Sequence, residues 1–234
     1  MTSRTVPHSQ TLSRGIRVLE LLSESREPMT IAELAAGLGV HRSIVYRIMR
    51  TLEDHRLVVR DHAGGVALGP RLAALAGGVS RNLQAAVLPE LTALAGELGM
   101  TAFLVVLDRD ECVTLVSVEP RHLNGSVAQR PGTRHHVSVG APGMAIQCSL
   151  PDEDLALLLP HGHPRGEVGL ARERGFAVSH GEVIAGVSSV SVPVTVHGQA
   201  PSAISVVYVT SNQPTEVIAE RLKLAAKTVQ ANYA

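Results

Sequence analysis

Tryptophan is absent from this chain of 234 residues, and all aromatic residues together make up only 2% of it. Proteins that bind single-stranded nucleic acids usually stack the bases on aromatic side chains, so the composition disfavours that class of function. Hydrophobic residues nevertheless make up 45% of the chain. Cores built from valine, leucine, isoleucine and alanine are therefore expected.

Cysteine is scarce as well. Cys112 and Cys148 lie far apart in apolar surroundings, which is typical of buried free thiols and not of metal ligands or a disulfide. No run reaches the roughly 18 apolar residues that a membrane span needs, and the opening MTSRTVPHSQTLSRG has no signal-peptide core. The sequence predicts a cytoplasmic protein with no membrane partner.

Common catalytic motifs are also missing. The chain has no Gly-x-Ser-x-Gly elbow, no phosphate loop ending in Gly-Lys-Ser/Thr and no His-Glu-x-x-His, so we expect neither an enzyme nor a cofactor. The pairs His135-His136 and His161-x-His163 lie in loop-like sequence without a convincing third ligand. They are interpreted as solvated or structural histidines, and no metal site is predicted.

Charge is balanced over the whole chain and unequal within it. Residues 1–69 contain nine arginines and seven acidic residues, a balance of +2, whereas the remainder has a balance of −2. Every cation of the first part is arginine, whose planar guanidinium suits phosphate and the edge of guanine. The length exceeds one typical domain, so two domains are expected.

Three helices are predicted within the first of these domains. Apolar residues recur at helical spacing over residues 15–23. Thr30, followed three residues later by Glu33, has the pattern of a capping box and predicts a second helix over 31–37. After a turn with Gly39, residues 41–54 have an apolar face and a polar, cationic face. This order is typical of a helix-turn-helix, whose second helix enters the DNA major groove.

Two short strands, over 57–60 and 66–68, flank the turn sequence DHAGG and predict a wing. An ordinary helical hairpin in a core is the alternative to a DNA-binding unit. The capping box, turn glycine, cationic face and wing occur in the expected order, which favours DNA. The predicted DNA-contacting residues are Thr30, His41, Arg42, Ser43, Tyr46, Arg47, Arg50 and His62.

The remaining sequence predicts a linker and a second domain. Residues 70–99 are rich in alanine and leucine but interrupted at Gly77-Gly78 and at Pro89, which predicts two helices. We assign residues 1–69 to the DNA-binding domain, 70–80 to a linker helix and 81–234 to the second domain. Within the latter, strands are expected over TAFLVVLD, CVTLVSVE, 176–179, 187–196 and 203–210, and helices over 142–149, 151–159, 167–174 and 214–232.

Several of these segments resemble one protein family. SRGIRVLELLSE, TIAELAAGLGVHRSIVYRIMRTLEDHRLV and GGVALGPRLAALA are similar to the N-terminal domain of IclR-type (isocitrate lyase regulator type) transcription factors. PGTRHHVSVGAPGMAIQCSLP and ARERGFAVSHGEVIAGVSSVSVPVTVHGQAPSAISVVYVT resemble the family's effector domain. The resemblance implies an α+β protein: a winged helix-turn-helix, a linker helix and a GAF-like α/β effector-binding domain whose mixed sheet is flanked by helices.

The resemblance also implies partners and a ligand site. It implies a homodimer or homotetramer that binds double-stranded operator DNA, represses a catabolic operon and responds to a small, usually anionic effector. By position, the effector-binding residues are Ala141, Pro142, Val187, Ser189, Ser205 and Val207, and Ser191 is added because strand alternation puts it on the same face as Ser189. Free N–H groups at a helix start favour a carboxylate, and serine hydroxyls can hydrogen-bond to it. Ordinary sheet packing is the alternative for each serine.

Two departures from the family bear on the effector. The chain has Gly143-Met144 where the family usually has Gly-Lys, and Ser138 where it usually has histidine. A more apolar pocket is therefore predicted, open to an aromatic carboxylate as well as to a short aliphatic acid. A winged-helix regulator of another class, without an effector, and a protein-interaction module that ignores DNA are the alternative functions.

Overall fold

The computed structural model describes residues 9–121, 127–160 and 162–233. It divides the chain into two units, Met1–Val79 and Ser80–Ala234. The linker predicted over 70–80 falls on both sides of this division. Its helical part, Arg71–Ala76, belongs to the first unit, and the next helix begins at Arg81 in the second unit.

The first unit is built from short helices followed by a hairpin. Its elements are α1 (Gln10–Glu24), α2 (Ile31–Leu38), α3 (Arg42–Asp54), β1 (Val58–Arg60), β2 (Val66–Leu68) and α4 (Arg71–Ala76). Strands β1 and β2 pair antiparallel. Helix α1 begins five residues earlier than residue 15, because Ser9 caps it by accepting a hydrogen bond from the backbone N–H of Leu12 at 3.4 Å.

A capping box fixes the start of α2. The carboxylate of Glu33 accepts from the backbone N–H of Thr30 at 2.7 Å, and the Thr30 hydroxyl accepts from the N–H of Glu33 at 3.3 Å. Gly39 ends the helix with a φ of +63°, a conformation that glycine adopts without strain. Behind this turn, Leu34, Ala35 and Val45 are buried where α2 meets α3.

The second unit is a six-stranded sheet with helices on both faces. Its elements are α5 (Arg81–Leu98), β3 (Thr101–Asp108), β4 (Glu111–Val118), β5 (Arg134–His136), α6 (Gly140–Ser149), α7 (Asp152–Leu158), α8 (Gly166–Arg174), β6 (Ala177–His180), β7 (Ser188–Val194), β8 (Ser202–Tyr208) and α9 (Thr215–Tyr233). The strand order is β5-β4-β3-β8-β7-β6, and each neighbouring pair is antiparallel. The expectation of a mixed sheet, with both parallel and antiparallel pairs, is therefore wrong.

Side chains of the central strands alternate between two cores. Leu104 of β3 packs in the core shared with α5 and α9. Phe103 and Val105 point to the opposite face, where they pack with residues of α6 such as Met144 and Ile146. The sheet thus separates a layer of α5 and α9 from a layer that contains α6 and α8.

Pro89 does not interrupt α5, contrary to the sequence prediction. A proline inside a helix removes one hydrogen bond and costs about 3 kcal/mol. Leu83, Val87, Leu91 and Leu94 are all fully buried along one side of this helix. Burial of each such side chain stabilises the fold by about 1.5 to 3 kcal/mol, so the stripe outweighs the cost of the proline.

Candidate functional site

The exposed face of α3 carries the predicted DNA-contacting side chains. Val45, Ile48, Met49 and Leu52 are buried against the first unit's core. The opposite face is exposed, and it presents Arg42, Ser43, Tyr46, Arg47 and Arg50. The structure therefore brings together five of the eight predicted residues on one surface.

His41 and Ser43 organise the start of α3. His41 is the N-cap, and its Nδ1 accepts from the backbone N–H of Ser43 at 3.3 Å and lies 2.9 Å from the Ser43 hydroxyl. Thr30 has a similar role at α2, where its hydroxyl donates to the Glu33 carboxylate at 2.8 Å. Thr30, His41 and Ser43 are exposed, but each already takes part in a helix cap.

A surface depression beside α3 adds two residues that the sequence analysis missed. Tyr46, Arg47 and Arg50 line it together with Glu53 and Arg60. The guanidinium of Arg60 on β1 donates to the Glu53 carboxylate at 3.0 Å, which ties the hairpin to α3. Arg60 is the last residue of a predicted wing strand. Its contact with α3 depends on how the hairpin packs against the helix, which the sequence pattern does not indicate. One glutamate facing three arginines leaves the depression positively charged.

The turn of the hairpin is held by Asp61. Its carboxylate accepts from the backbone N–H groups of Ala63 at 2.9 Å and Gly65 at 2.7 Å. A Cβ at position 65 would lie 2.6 Å from the Asp61 carboxylate and 2.9 Å from the Pro28 Cβ, so any other residue would force one of these side chains to shift. His62, the last predicted DNA-contacting residue, is exposed at the tip.

The second unit contains a cavity on the α6 side of the sheet. Its volume is about 30 Å³. The lining residues are Phe103, Gln129, His135, Pro142, Ser179, Val183, Ile184, Val187, Ser189 and Val207. A cavity that takes a benzene ring has a volume of about 150 Å³, so this one has room for a water molecule and not for an organic acid.

Four of the seven predicted effector-binding residues line this cavity, namely Pro142, Val187, Ser189 and Val207. Ala141, Ser191 and Ser205 do not line it. The Ser189 hydroxyl donates to the backbone carbonyl of Val206 at 3.0 Å. The Ser189 proton is therefore already donated. The hydroxyl oxygen offers acceptor lone pairs to a molecule bound in the cavity.

The start of α6 is occupied by the chain itself, which the sequence analysis did not foresee. The backbone N–H of Gly140 donates to the Glu182 carboxylate at 2.9 Å, and that of Ala141 donates to the Ser179 hydroxyl at 2.9 Å. The guanidinium of Arg165 donates to Glu182 and holds the pKa of that carboxyl below its usual range. These N–H groups are therefore not free to receive a carboxylate in this arrangement.

Histidine 135 is the least expected residue of the cavity. Both of its ring nitrogens are buried and have no hydrogen-bond partner among the described residues. Burial lowers the pKa of His135, and Glu111 acts more weakly in the opposite direction. The sequence analysis interpreted His135 and His136 together as solvated or structural histidines, although strand alternation places such neighbours on opposite faces.

Within the described ranges, no group of three or more His, Cys, Asp or Glu side chains could hold a metal ion. His161 lies outside the described residues. Cys112 and Cys148 are buried and unpaired, as predicted, and burial raises the pKa of Cys112 to about 12. Across the same ranges, no helix is both long enough and apolar enough to cross a bilayer.

Two family descriptions match the chain. Residues 11–62 match the IclR helix-turn-helix domain, and residues 78–231 match the bacterial transcriptional regulator IclR C-terminal domain. The transcriptional repressor IclR of Escherichia coli is 31% identical over 155 residues, which cover 64% of this chain and 56% of that protein. The acetate operon repressor of Salmonella typhimurium is 27% identical over an alignment 248 positions long, which covers 96% of this chain and 90% of that protein. Several curated relatives are thus matched over less than 60% of their length.

Solved structures resemble this chain over almost its whole length. An IclR-type transcriptional regulator from Alicyclobacillus acidocaldarius has a TM-score of 0.83 at 29% identity, with 97% of this chain and 100% of that chain covered. An IclR homolog from Microbacterium hydrocarbonoxydans, complexed with 4-hydroxybenzoate, has a TM-score of 0.81 at 21% identity, with 96% and 99% covered. The second likeness is one of fold alone.

Proposed function

The chain belongs to the IclR family of bacterial transcriptional regulators, and on that basis we propose that it binds operator DNA through α3 and the wing, under control of a small organic acid. The family consists of transcription regulators and not of enzymes. Relatives that are named repressors support repression as the direction of control.

The observation that carries the DNA-binding proposal is the exposed cationic face of α3. Arg42, Arg47 and Arg50 share this face with Tyr46, while the opposite face is buried. Arginine binds guanine edges bidentately and also pairs with phosphate, so such a face suits the major groove. The Asp61-stabilised turn leaves His62 exposed at the tip of the hairpin, which supports a contact of this residue with the adjacent DNA backbone.

The modest charge of residues 1–69 supports a homo-oligomer. One winged domain with a balance of +2 is a poor sole source of affinity, whereas two tethered copies gain from effective concentration on a two-fold related operator. Leu75 and Val79, which follow the wing, are 57% and 50% exposed. We propose that the segment 72–79 forms the contact between copies, in a dimer or in a tetramer.

The effector proposal rests on the cavity in the second unit. Its walls are mostly apolar, with Pro142 at the start of α6 and Ser189 and Val207 on adjacent strands. An aromatic carboxylate is supported by the 4-hydroxybenzoate bound to a protein of the same fold, and a short keto acid remains the alternative. A GAF-like effector domain is part of the same proposal.

Titration of the full chain against the intergenic region upstream of its own gene tests this function. Fluorescence anisotropy should show tight binding to that duplex and at least tenfold weaker binding to a scrambled duplex. Addition of the cognate acid, found by a thermal-shift screen of benzoates and keto acids, should change the affinity for the first duplex. If the affinities for the two duplexes were equal, the regulator proposal would be wrong. Specific DNA binding without any acid response would favour a regulator that lacks an effector.

A further inference from the structure

The segment 181–187 connects β6 and β7 and forms one wall of the cavity. We call this segment the strap. Its ends are joined by a hydrogen bond of 2.8 Å from the Gly181 N–H to the Val187 carbonyl. Val183, Ile184 and Val187 all line the cavity. With the strap in this position, the cavity has the 30 Å³ described above, which is too small for an organic acid.

One side chain of the strap anchors it to the body of the unit. The Glu182 carboxylate receives two hydrogen bonds from the Arg165 guanidinium, at 2.6 and 3.2 Å, and one from the Gly140 N–H at 2.9 Å. Glu182 is largely buried, with 22% of its side chain exposed. Charge-assisted bonds of this kind are about twice as strong as neutral ones, so Glu182 attaches the strap firmly to Arg165 and to the start of α6.

A second carboxylate also binds Arg165. The guanidinium nitrogen that reaches Glu182 at 3.2 Å donates to the Glu167 carboxylate at 2.8 Å as well. Release of Glu182 would therefore expose a positioned cation and the free Gly140 N–H beside the cavity. Both groups are donors for a carboxylate, so an incoming acid can replace the interactions that Glu182 gives up.

The cavity also contains donors or acceptors that nothing in the closed arrangement uses. Both ring nitrogens of His135 are buried there without a partner among the described residues. Buried polar groups are nearly always hydrogen-bonded, so the unpaired His135 ring indicates a position where a polar ligand can bind. His135 also lies close to the strap's anchor point, because a Cβ on Gly140 would be 3.7 Å from its Nε2.

We propose that the strap is a lid over the effector site and that the Glu182–Arg165 ion pair is its latch, which an organic acid opens by taking the place of the Glu182 carboxylate. This inference rests on the proposed effector function. It adds a mechanism of regulation, in which the Glu182 carboxylate competes with the carboxylate of the acid for Arg165 and the Gly140 N–H. Such a competitor lowers the apparent affinity, because the acid binds only the fraction of molecules in which the latch is open.

Hydrogen exchange of the full chain without ligand tests the latch directly. The Gly181 and Val187 amides are hydrogen-bonded within the closed strap, so their exchange reports its opening. Glu182→Gln removes the charge and should accelerate their exchange about tenfold. Glu167→Gln is the matched control, since it removes the other carboxylate on Arg165 without touching the strap, and it should leave these rates unchanged. Arg165→Gln is a second variant, expected to behave like Glu182→Gln.

Stopped-flow binding of 4-hydroxybenzoate, benzoate and pyruvate provides the second arm. An acid that binds the wild type should associate faster with Glu182→Gln than with Glu167→Gln. Because the bound acid displaces the strap, it should accelerate strap exchange in the wild type, and by a smaller factor in Arg165→Gln. Equal strap exchange in all variants that retain the wild-type circular dichroism spectrum would overturn the latch. Faster exchange in Glu182→Gln with no binding of any acid would support the latch and count against the effector proposal instead.

Discussion

Ser191 and Ser205 face each other across β7 and β8, and the Ser191 hydroxyl donates a hydrogen bond of 2.7 Å to the Ser205 hydroxyl. Both side chains are fully buried in the sheet. The alternative that the sequence analysis held open for each serine, ordinary sheet packing, describes this pair. Of the sheet serines assigned by position, only Ser189 lines the cavity.

Replacement of Ser205 by alanine should destabilise the second unit by about 1 to 3 kcal/mol, because the buried Ser191 hydroxyl loses its acceptor. The double variant Ser191→Ala with Ser205→Ala should lose less stability than the sum of the two single variants, since it leaves no unpaired donor. Urea denaturation measures these differences. Strict additivity would show that the hydrogen bond contributes nothing.

The first unit was predicted from sequence in most of its parts. Its signals are local: Thr30 and Glu33 form the box that their spacing predicts, and Gly39 ends α2 as a turn glycine should. The predictions that were wrong depend on neighbours distant in sequence. Pro89 is tolerated because the helix around it buries a continuous stripe, and the sheet is antiparallel although the resemblance suggested a mixed one.

The proposed effector site was harder to predict than the proposed DNA-binding face. The helical period places Arg47 and Arg50 on one surface whatever surrounds the helix. By contrast, Glu182 is 42 positions from the Gly140 N–H that it accepts from, and no periodic pattern connects the two. Side chains distant in sequence accept hydrogen bonds from the N–H groups at the start of α6, and only the folded structure reveals these contacts.

The capping box predicts a cost for losing Thr30. Thr30→Ala removes the hydroxyl that accepts from the Glu33 N–H, and an N-cap of this kind is worth about 1 kcal/mol. The first unit should unfold at a correspondingly lower urea concentration. Thr30→Ser keeps the hydroxyl and serves as the control. Wild-type stability in Thr30→Ala would contradict the cap's contribution.

Stability should depend on pH through His135. Burial lowers its pKa in the folded chain, so below the ordinary value of about 6.5 the unfolded chain binds more protons than the folded one. The free energy of unfolding should therefore fall between pH 7 and pH 5, and His135→Gln should reduce that fall. His62→Gln, at the exposed tip of the wing, is the control. Identical pH profiles for wild type and His135→Gln would exclude this role.

The proposed contact between copies predicts an effect of charge at position 75. Leu75→Glu should shift the chain towards monomer in sedimentation velocity at micromolar concentration and weaken operator binding, because a paired site needs two linked domains. Leu157→Glu changes a more exposed leucine, 80% accessible, in the second unit and should alter neither. A wild-type monomer that binds DNA tightly would contradict the oligomer itself.

Arg47 and Arg50 carry the most direct prediction about DNA. Both are exposed on the face of α3 that Tyr46 shares, and both line the depression next to Arg60. Alanine at a residue that contacts a base should cost about 1 to 3 kcal/mol and relax the preference at one position of the operator. Alanine at a phosphate contact should weaken all sequences alike and reduce the salt dependence by about one unit of slope.

Anisotropy titrations at several salt concentrations separate these two cases for each arginine. Arg130→Ala, an exposed arginine of the second unit, is the matched control and should bind the operator like the wild type. Neither α3 variant should lose stability, because the Arg47 and Arg50 side chains lie outside the buried core. If Arg47→Ala and Arg50→Ala both bound the operator with wild-type affinity, α3 would not be the recognition helix, and the wing or the N-terminal segment would have to supply the contacts.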